Sequence, residues 1–300
     1  MVMIHILDLN FRNIRESIAA FTVETNDGPV LIETGPHSTY RYLRTSMKMR
    51  GLDVRDVKHV LLTHIHLDHA GAAWKLANKE AQIYVHPRGE KHLANPERLM
   101  ESATRIYGDQ MDSLWGKMKK IPSERITTVD HEEVVTMGGV DFKALHTPGH
   151  ASHHIAWQVG DAIFTGDVGG VKINGGPVVA PCPPPDIDIE AWDNSIEILR
   201  SASPESLYLT HFGEISGREN VKSHLDQLQE NMHRLTEWMK PYVDAEETDE
   251  RIIPEFQKIM HRILKENGAT IGMLEQYEAA NPSWMSVAGL KRYWVKKDNK

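Results

Sequence analysis

The stretch Thr63-His64-Ile65-His66-Leu67-Asp68-His69-Ala70-Gly71 sets three histidines and an aspartate side by side. It follows the apolar run His59-Val60-Leu61-Leu62, which reads as a buried strand that delivers the cluster at its C-terminal end. Loops beyond strand ends are where folds place reactive groups. Imidazole nitrogens and carboxylate oxygens together suit Zn²⁺, Mn²⁺ or Fe²⁺. Strand alternation aims His64 and His66 together while Asp68 and His69 turn away past them, which suggests two adjacent metal sites. A zinc-like ion needs three or more protein ligands and an open position for water, so this loop cannot complete either site alone.

Three later positions supply what is missing, each at or just beyond the end of a predicted strand. They are His150 in His146-Thr147-Pro148-Gly149-His150, Asp167 in Phe164-Thr165-Gly166-Asp167, and His211 in Leu209-Thr210-His211-Phe212-Gly213. Five histidines and two aspartates make a set of nitrogen and hard oxygen donors with no thiolate.

In this order and spacing, the HxHxDH cluster, the histidine of the TPGH turn, the GD pair and the strand-ending THFG resemble the metallo-β-lactamase superfamily over about residues 1 to 215. The resemblance implies an α+β fold, a four-layer αβ/βα sandwich with a dinuclear metal centre at one edge between the sheets. Carried over, it puts His64, His66 and His150 on one ion and Asp68, His69 and His211 on the other, with Asp167 bridging. The implied cofactors are two divalent ions, zinc first, with manganese or iron as substitutes.

The implied activity is that of a glyoxalase II-like dinuclear hydrolase, in which a metal-bridged hydroxide attacks an ester, thioester, lactone or phosphodiester of a small molecule. Asp68 would be the catalytic residue, orienting that hydroxide and assisting proton transfer. The alternative is a mononuclear Fe(II) persulfide dioxygenase, which needs only two histidines and one aspartate; the presence of Asp68, His69 and His211 ranks it lower.

The chain also departs from family patterns. Glu33 stands in Ile32-Glu33-Thr34-Gly35 where an aspartate is usual, with reach enough to bond a ligand histidine. Gly170 stands where acyl-homoserine lactonases carry tyrosine, and Lys291-Arg292 is the sole echo of glutathione contacts. Asp167 replaces the cysteine of one subclass of true β-lactamases.

A chain of 300 residues with 40% apolar content can bury a large core. No stretch approaches the roughly 20 apolar residues of a membrane helix. Met1 to Asn10 reads as a strand without a basic-then-apolar leader, and the one cysteine, Cys182, agrees with a reducing compartment, so the expectation is cytoplasmic. A net charge of −8 and no long basic run point to a small-molecule substrate, with no nucleic acid and no membrane as partner.

Short β-branched runs at Ile4 to Leu7, Ile18 to Val23 and Pro29 to Ile32 open the chain as antiparallel sheet, with Asn26-Asp27-Gly28 a hairpin turn. Helix is expected at Ser38 to Arg50, Ala70 to Asn78, and over most of Pro87 to Lys120. Strands are expected at Gln82 to Val85, Val140 to Leu145, His154 to Val159, Ala162 to Thr165 and Ser206 to Thr210. Gly169 to Pro185, with Pro181-Cys182-Pro183-Pro184-Pro185, reads as a long loop against the site.

Beyond Glu190 to Ser201, helical spacing returns at Asn220 to Met239, Asp249 to Lys265 and Met285 to Lys296. The boundary falls near Gly217, giving a catalytic domain over 1–216 and a helical extension over 217–300 that serves as lid, packing surface or homodimer face. Trp115, Met118 and the aromatic residues of the tail are expected to make the pocket partly apolar. His153 and His154 follow the TPGH turn as strand residues, one facing the pocket; Tyr208 reads as core, with a phenol for substrate as the other option.

Overall fold

In the computed structural model, which describes residues 2–299, the first sheet consists of β1 (Ile4–Asp8), β2 (Ala19–Thr25), β3 (Gly28–Ile32), β4 (His59–Leu61), β5 (Gln82–Val85) and β6 (Ile126–Thr128). The second consists of β7 (Val134–Met137), β8 (Val140–His146), β9 (Ile155–Val159), β10 (Ala162–Phe164), β11 (Ser206–Leu209) and β12 (Gly213–Ser216). Each sheet keeps its strands in chain order. Thr25 pairs with Gly28 across the Asn26-Asp27 loop, as the turn residues demand. The strands β3 to β6 run parallel, as do β10 and β11, so their C-terminal ends collect at one edge of each sheet.

Alternation along the strands makes the layers. Val30, Ile32, Leu61, Tyr84, Phe164 and Tyr208 face the opposite sheet and pack with Phe21, Phe142 and Trp157. Their neighbours Leu31, Val60, Leu62, Ile83 and Val85 face outward under the helices α1 (Tyr40–Lys48), α2 (Leu67–Ala70), α3 (Ala73–Ala77), α4 (Pro87–Ala94), α5 (Glu97–Tyr107) and α6 (Met111–Leu114). On the other side Ile163, Leu207 and Leu209 face outward under α7 (Ile189–Ser201) and the C-terminal helices. Period 2 on both sheets thus yields the four-layer sandwich. Each fully buried aromatic of the central layer contributes about 1.5–3 kcal/mol of burial. The Trp157 indole N–H also donates to the Leu62 carbonyl at 3.0 Å, tying the second sheet to the chain just before the histidine cluster.

The C-terminal helices are α8 (Arg218–Asp244), α9 (Asp249–Glu266), α10 (Ile271–Ala280) and α11 (Ser283–Asp298). Val221, Leu225, Leu228, Met232, Leu235 and Met239 form one stripe of α8 and join the same apolar cluster as Trp192, Ile196 and Leu199 of α7. Trp294 packs there too, its indole donating to the Thr236 carbonyl at 2.7 Å.

Several elements differ from the sequence reading. The stretch expected as one helix at Ala70 to Asn78 is two short ones, and the first begins at Leu67 inside the histidine cluster. Edge strands β6, β7 and β12 and the helix α10 were not anticipated. β6 has three residues, and β7 and β12 leave most of their residues partly or fully exposed, so little apolar alternation marks them. In α10 the apolar residues lie all round the helix rather than on one stripe.

Candidate metal centre

Each of the seven sequence-identified residues lies just past a strand end. His64 and His66 continue β4 in extended chain, with His66 as N-cap of α2. Asp68 and His69 then sit on the helical turn itself, which swings them away from His64 and His66. His150 follows β8, Asp167 follows β10 and His211 follows β11. Two of these placements need glycine. Gly149 has φ of +133°, and a Cβ there would lie 2.4 Å from the Trp192 Cα. Gly166 has φ of +51°, and its Cβ would lie 2.5 Å from Thr63 Oγ1.

The structure brings all seven together in two groups that share Asp167. In His64, His66, His150 and Asp167, and again in Asp68, His69, Asp167 and His211, one ligand atom per residue lies within 4.8 Å of the others. His66 Nδ1 is 2.9 Å from His64 Nε2 and 3.0 Å from His150 Nε2. In the second group, Asp167 Oδ1 is 3.1 Å from His69 Nε2 and 3.3 Å from His211 Nε2, and Asp68 Oδ2 is 3.6 Å from both nitrogens. Asp167 Oδ2 reaches back to His150 Nε2 at 3.2 Å.

The remaining ring nitrogens show which atom each histidine offers. His150 Nδ1 donates to the Pro181 carbonyl at 2.9 Å and His211 Nδ1 to the Ser17 carbonyl at 2.7 Å, leaving both Nε2 lone pairs for the centre. Glu33 governs two more. Its buried carboxylate accepts His69 Nδ1–H at 3.0 Å and also the Thr63 hydroxyl, whose oxygen accepts His64 Nδ1–H at 3.0 Å. One carboxylate therefore orients a histidine of each group, which answers what Glu33 does where the family usually carries aspartate. Its own φ of +63° is a strained value for a side chain of this kind.

These atoms fit metal ions. His69 Nε2, His211 Nε2 and Asp167 Oδ1 are buried and lack a hydrogen-bond partner, although buried polar atoms are ordinarily satisfied. In the first group three imidazole nitrogens crowd together. Burial, reinforced by neighbouring histidines, holds His64 well below the ordinary histidine value and His66 at about 4, so both rings are neutral, the form a metal ion would need.

In the second group burial pushes the same way but is overridden by opposite charges. The histidines hold Asp167 well below the usual carboxylate range, while Asp167, Asp68 and Glu33 lift His69 well above 6.5. Burial would lower His211, but Asp167 and Asp68 bring it up to about 9.

The metal-free chain should therefore be most stable near pH 6.5. His211, raised to about 9, stabilises the fold fully below its unfolded value of 6.5, and that contribution is lost as pH rises through about 9. His66, lowered to about 4, contributes fully above 6.5 and loses its share as pH falls through about 4. Melting temperature against pH for chelator-treated protein checks this; a steady rise from pH 6.5 to 9 would contradict it.

Of the other singled-out residues, Tyr208 is core: its ring stacks on Phe164 at 5.0 Å and its hydroxyl donates to Glu214 at 3.1 Å. His154 is fully buried, with Nδ1 2.9 Å from the Thr147 hydroxyl oxygen and Nε2 without a partner. His153 is also buried, its ring 6.1 Å from that of His64. Cys182 is a small buried apolar residue, its thiol pushed up to about 12 by burial.

A cavity of about 320 Å³ opens onto the cluster at His66, Asp68 and Asp167. Its walls come from the first loop (Phe11, Arg12, Ile18), from α5 and α6, from Pro181 and Pro183 to Pro185, and from the segment 278–285. Trp115 and Trp284 line it as the expected apolar wall. Met118 does not: it packs beneath the first sheet, while Tyr293 bonds Glu190 of α7 and Trp294 bonds Thr236 of α8.

Sequence reasoning missed Thr63 as the link between Glu33 and His64, and missed Phe11 and Arg12 in the wall. Thr63 had a signal in heading the motif. The wall residues are scattered and had none. The C-terminal segment also braces the cavity: the Tyr277 hydroxyl accepts Ile173 N–H at 3.1 Å and donates to the Pro177 carbonyl at 2.7 Å, and Gln276 donates to the Arg15 carbonyl at 2.9 Å.

Residues 15–211 match the sequence model of the metallo-beta-lactamase superfamily, and the chain belongs to that family. A metallo-beta-lactamase fold-containing protein of Sulfurisphaera tokodaii is 32% identical over 174 residues, 57% of this chain and 66% of that protein. A hydroxyacylglutathione hydrolase of Haemophilus influenzae is 30% identical over 134 residues, 42% of this chain and 58% of that protein. The chain thus matches less than two thirds of the length of either relative. The crystal structure of a metallo-beta-lactamase family protein from Thermus thermophilus superposes with a TM-score of 0.65 over 99% of this chain and 94% of its own, at 18% identity, so the likeness in fold extends through the C-terminal helices. Among the described residues no helix is long and apolar enough to cross a membrane.

Proposed function

We propose that this chain is a hydrolase dependent on two divalent metal ions and acting on a small-molecule ester, thioester, lactone or phosphodiester. The observation that carries the reading is the pair of buried groups sharing Asp167, with three of their atoms left without partners. His64, His66 and His150 would hold one ion, Asp68, His69 and His211 the other, with Asp167 between them. Zinc is the first choice for this donor set, with manganese or iron able to substitute. When bound, such a pair lowers the pKa of water and polarises the substrate oxygen.

The chain's own residues do the rest. Asp68 is the one acid of the two groups whose side chain is substantially exposed, at 20%, and it faces the cavity. Its carboxylate takes a proton from the attacking water and returns it to the leaving group. Glu33, through Thr63 and directly, keeps His64 and His69 aimed at the centre. The hydrolase named among the relatives supports this class of reaction. The second group argues against the one-iron dioxygenase, which has no use for Asp68, His69 and His211. A cytoplasmic setting and a homodimer are part of the proposal.

A panel of ester, thioester, lactone and phosphodiester substrates with zinc- or manganese-loaded protein tests it. Turnover is expected with at least one class, abolished by chelator and restored by metal. No turnover with any class, together with oxygen uptake on a persulfide, would overturn the reading.

A further inference from the structure

Most of the cavity beside the metal-ligand cluster is built to hold something apolar. At about 320 Å³ it is of the size that takes a small ligand. One wall is a continuous run of rings: Phe11 stacks on Trp115 at 5.4 Å, Trp115 meets Tyr107 at 5.1 Å, and Tyr107 meets Trp284 at 5.7 Å. The Tyr107 hydroxyl is 3.9 Å from Met285 Sδ, and burial together with the nearby Asp68 charge raises its pKa, so the phenol stays neutral. Three consecutive prolines, Pro183 to Pro185, form another wall and have no N–H to offer a ligand.

Charge in the cavity is sparse. Asp68 and Asp167 lie at the cluster. Glu278 already accepts the hydroxyl and the backbone N–H of Ser283. Arg12 is the one lysine or arginine among the described lining residues, and it is exposed. A phosphodiester or a peptide-like thiol with several carboxylates would call for more donors than this.

We propose that the cavity receives the apolar acyl chain of an ester or thioester, with the scissile carbonyl carbon beside Asp68 and Asp167. The proposal rests on the hydrolase reading above. Water adds to the acyl carbon, the carbon–oxygen or carbon–sulfur bond breaks, and the carboxylic acid leaves with the alcohol or thiol, without change of oxidation state. The acyl chain, by burying its methylenes against the rings, is the part of the substrate that sets specificity.

Two measurements on the full chain test this. In the first, kcat/KM of zinc-loaded protein is measured for p-nitrophenyl esters from acetyl to decanoyl; it should rise by roughly four-fold per methylene, and Trp284→Ala should flatten that gradient. In the second, a brominated decanoate should quench tryptophan fluorescence saturably where bromoacetate does not. Turnover with no chain-length gradient would overturn the acyl pocket while leaving the hydrolase intact. Saturable quenching without turnover of any of the four substrate classes would support the pocket and count against the hydrolase. Absence of saturable quenching would overturn the pocket whatever the turnover.

Discussion

Asp68→Asn should lower kcat by about 10²–10⁴-fold, the range typical of a lost general acid or base, with KM changed far less. Asparagine keeps the shape of the side chain and one oxygen, but it cannot take up a proton from water. The substitution also removes a charge 3.6 Å from His69 Nε2 and His211 Nε2, so metal content has to be measured on the same sample. The fold should survive, because Asp68 faces the cavity and carries no packing duty in the sheets. Wild-type kcat in a variant that retains its metal would sink the proton-transfer role.

Glu33→Ala should be the most destabilising single change near the centre. It removes the acceptor of three buried donors, Thr63 O–H, Thr63 N–H and His69 Nδ1–H, at a position with no access for water. Breaking a buried, hydrogen-bonded charge in this way costs about 3–5 kcal/mol. Because Glu33 holds one histidine of each group, metal affinity should also fall by about 10–100-fold. Glu33→Asp should recover part of both losses: it restores a carboxylate, and aspartate tolerates positive φ better than glutamate does. An unchanged melting temperature and metal content in Glu33→Ala would remove Glu33 from the account.

The grouping of the seven histidine and aspartate residues was legible in the sequence because each comes past a strand end with its short motif intact. Gly149 and Gly166 show why the TPGH and GD patterns are so constrained: at those points a side chain would collide with Trp192 or Thr63. The sandwich was legible for the same reason, since alternation in β3, β4 and β5 sorts residues to two faces without help from distant parts of the chain.

The cavity was legible only in part: Trp115, the tail aromatics and the proline loop were expected in its wall, while Phe11 and Arg12 were not. Phe11, Tyr107, Trp115 and Trp284 are joined only by tertiary packing, and none has a local pattern that distinguishes a cavity wall from core. Edge strands such as β12 escaped because all four residues from Gly213 to Ser216 are half-buried or exposed and carry little apolar alternation, although β12 pairs with its chain neighbour β11, Leu207 opposite Ile215. Glu33 could be suspected from its place after β3. Its link to His64 runs through Thr63, thirty positions away, and its direct bond to His69 spans thirty-six, which spacing alone cannot show.

The most direct test of the central claim is metal content per chain, by elemental mass spectrometry on protein purified without chelator, joined to anomalous diffraction from its crystals. Close to two zinc or manganese ions per chain are expected, one among His64, His66 and His150, the other among Asp68, His69 and His211, both touching Asp167. A single iron with the second group empty, or no ion retained at either group, would contradict it.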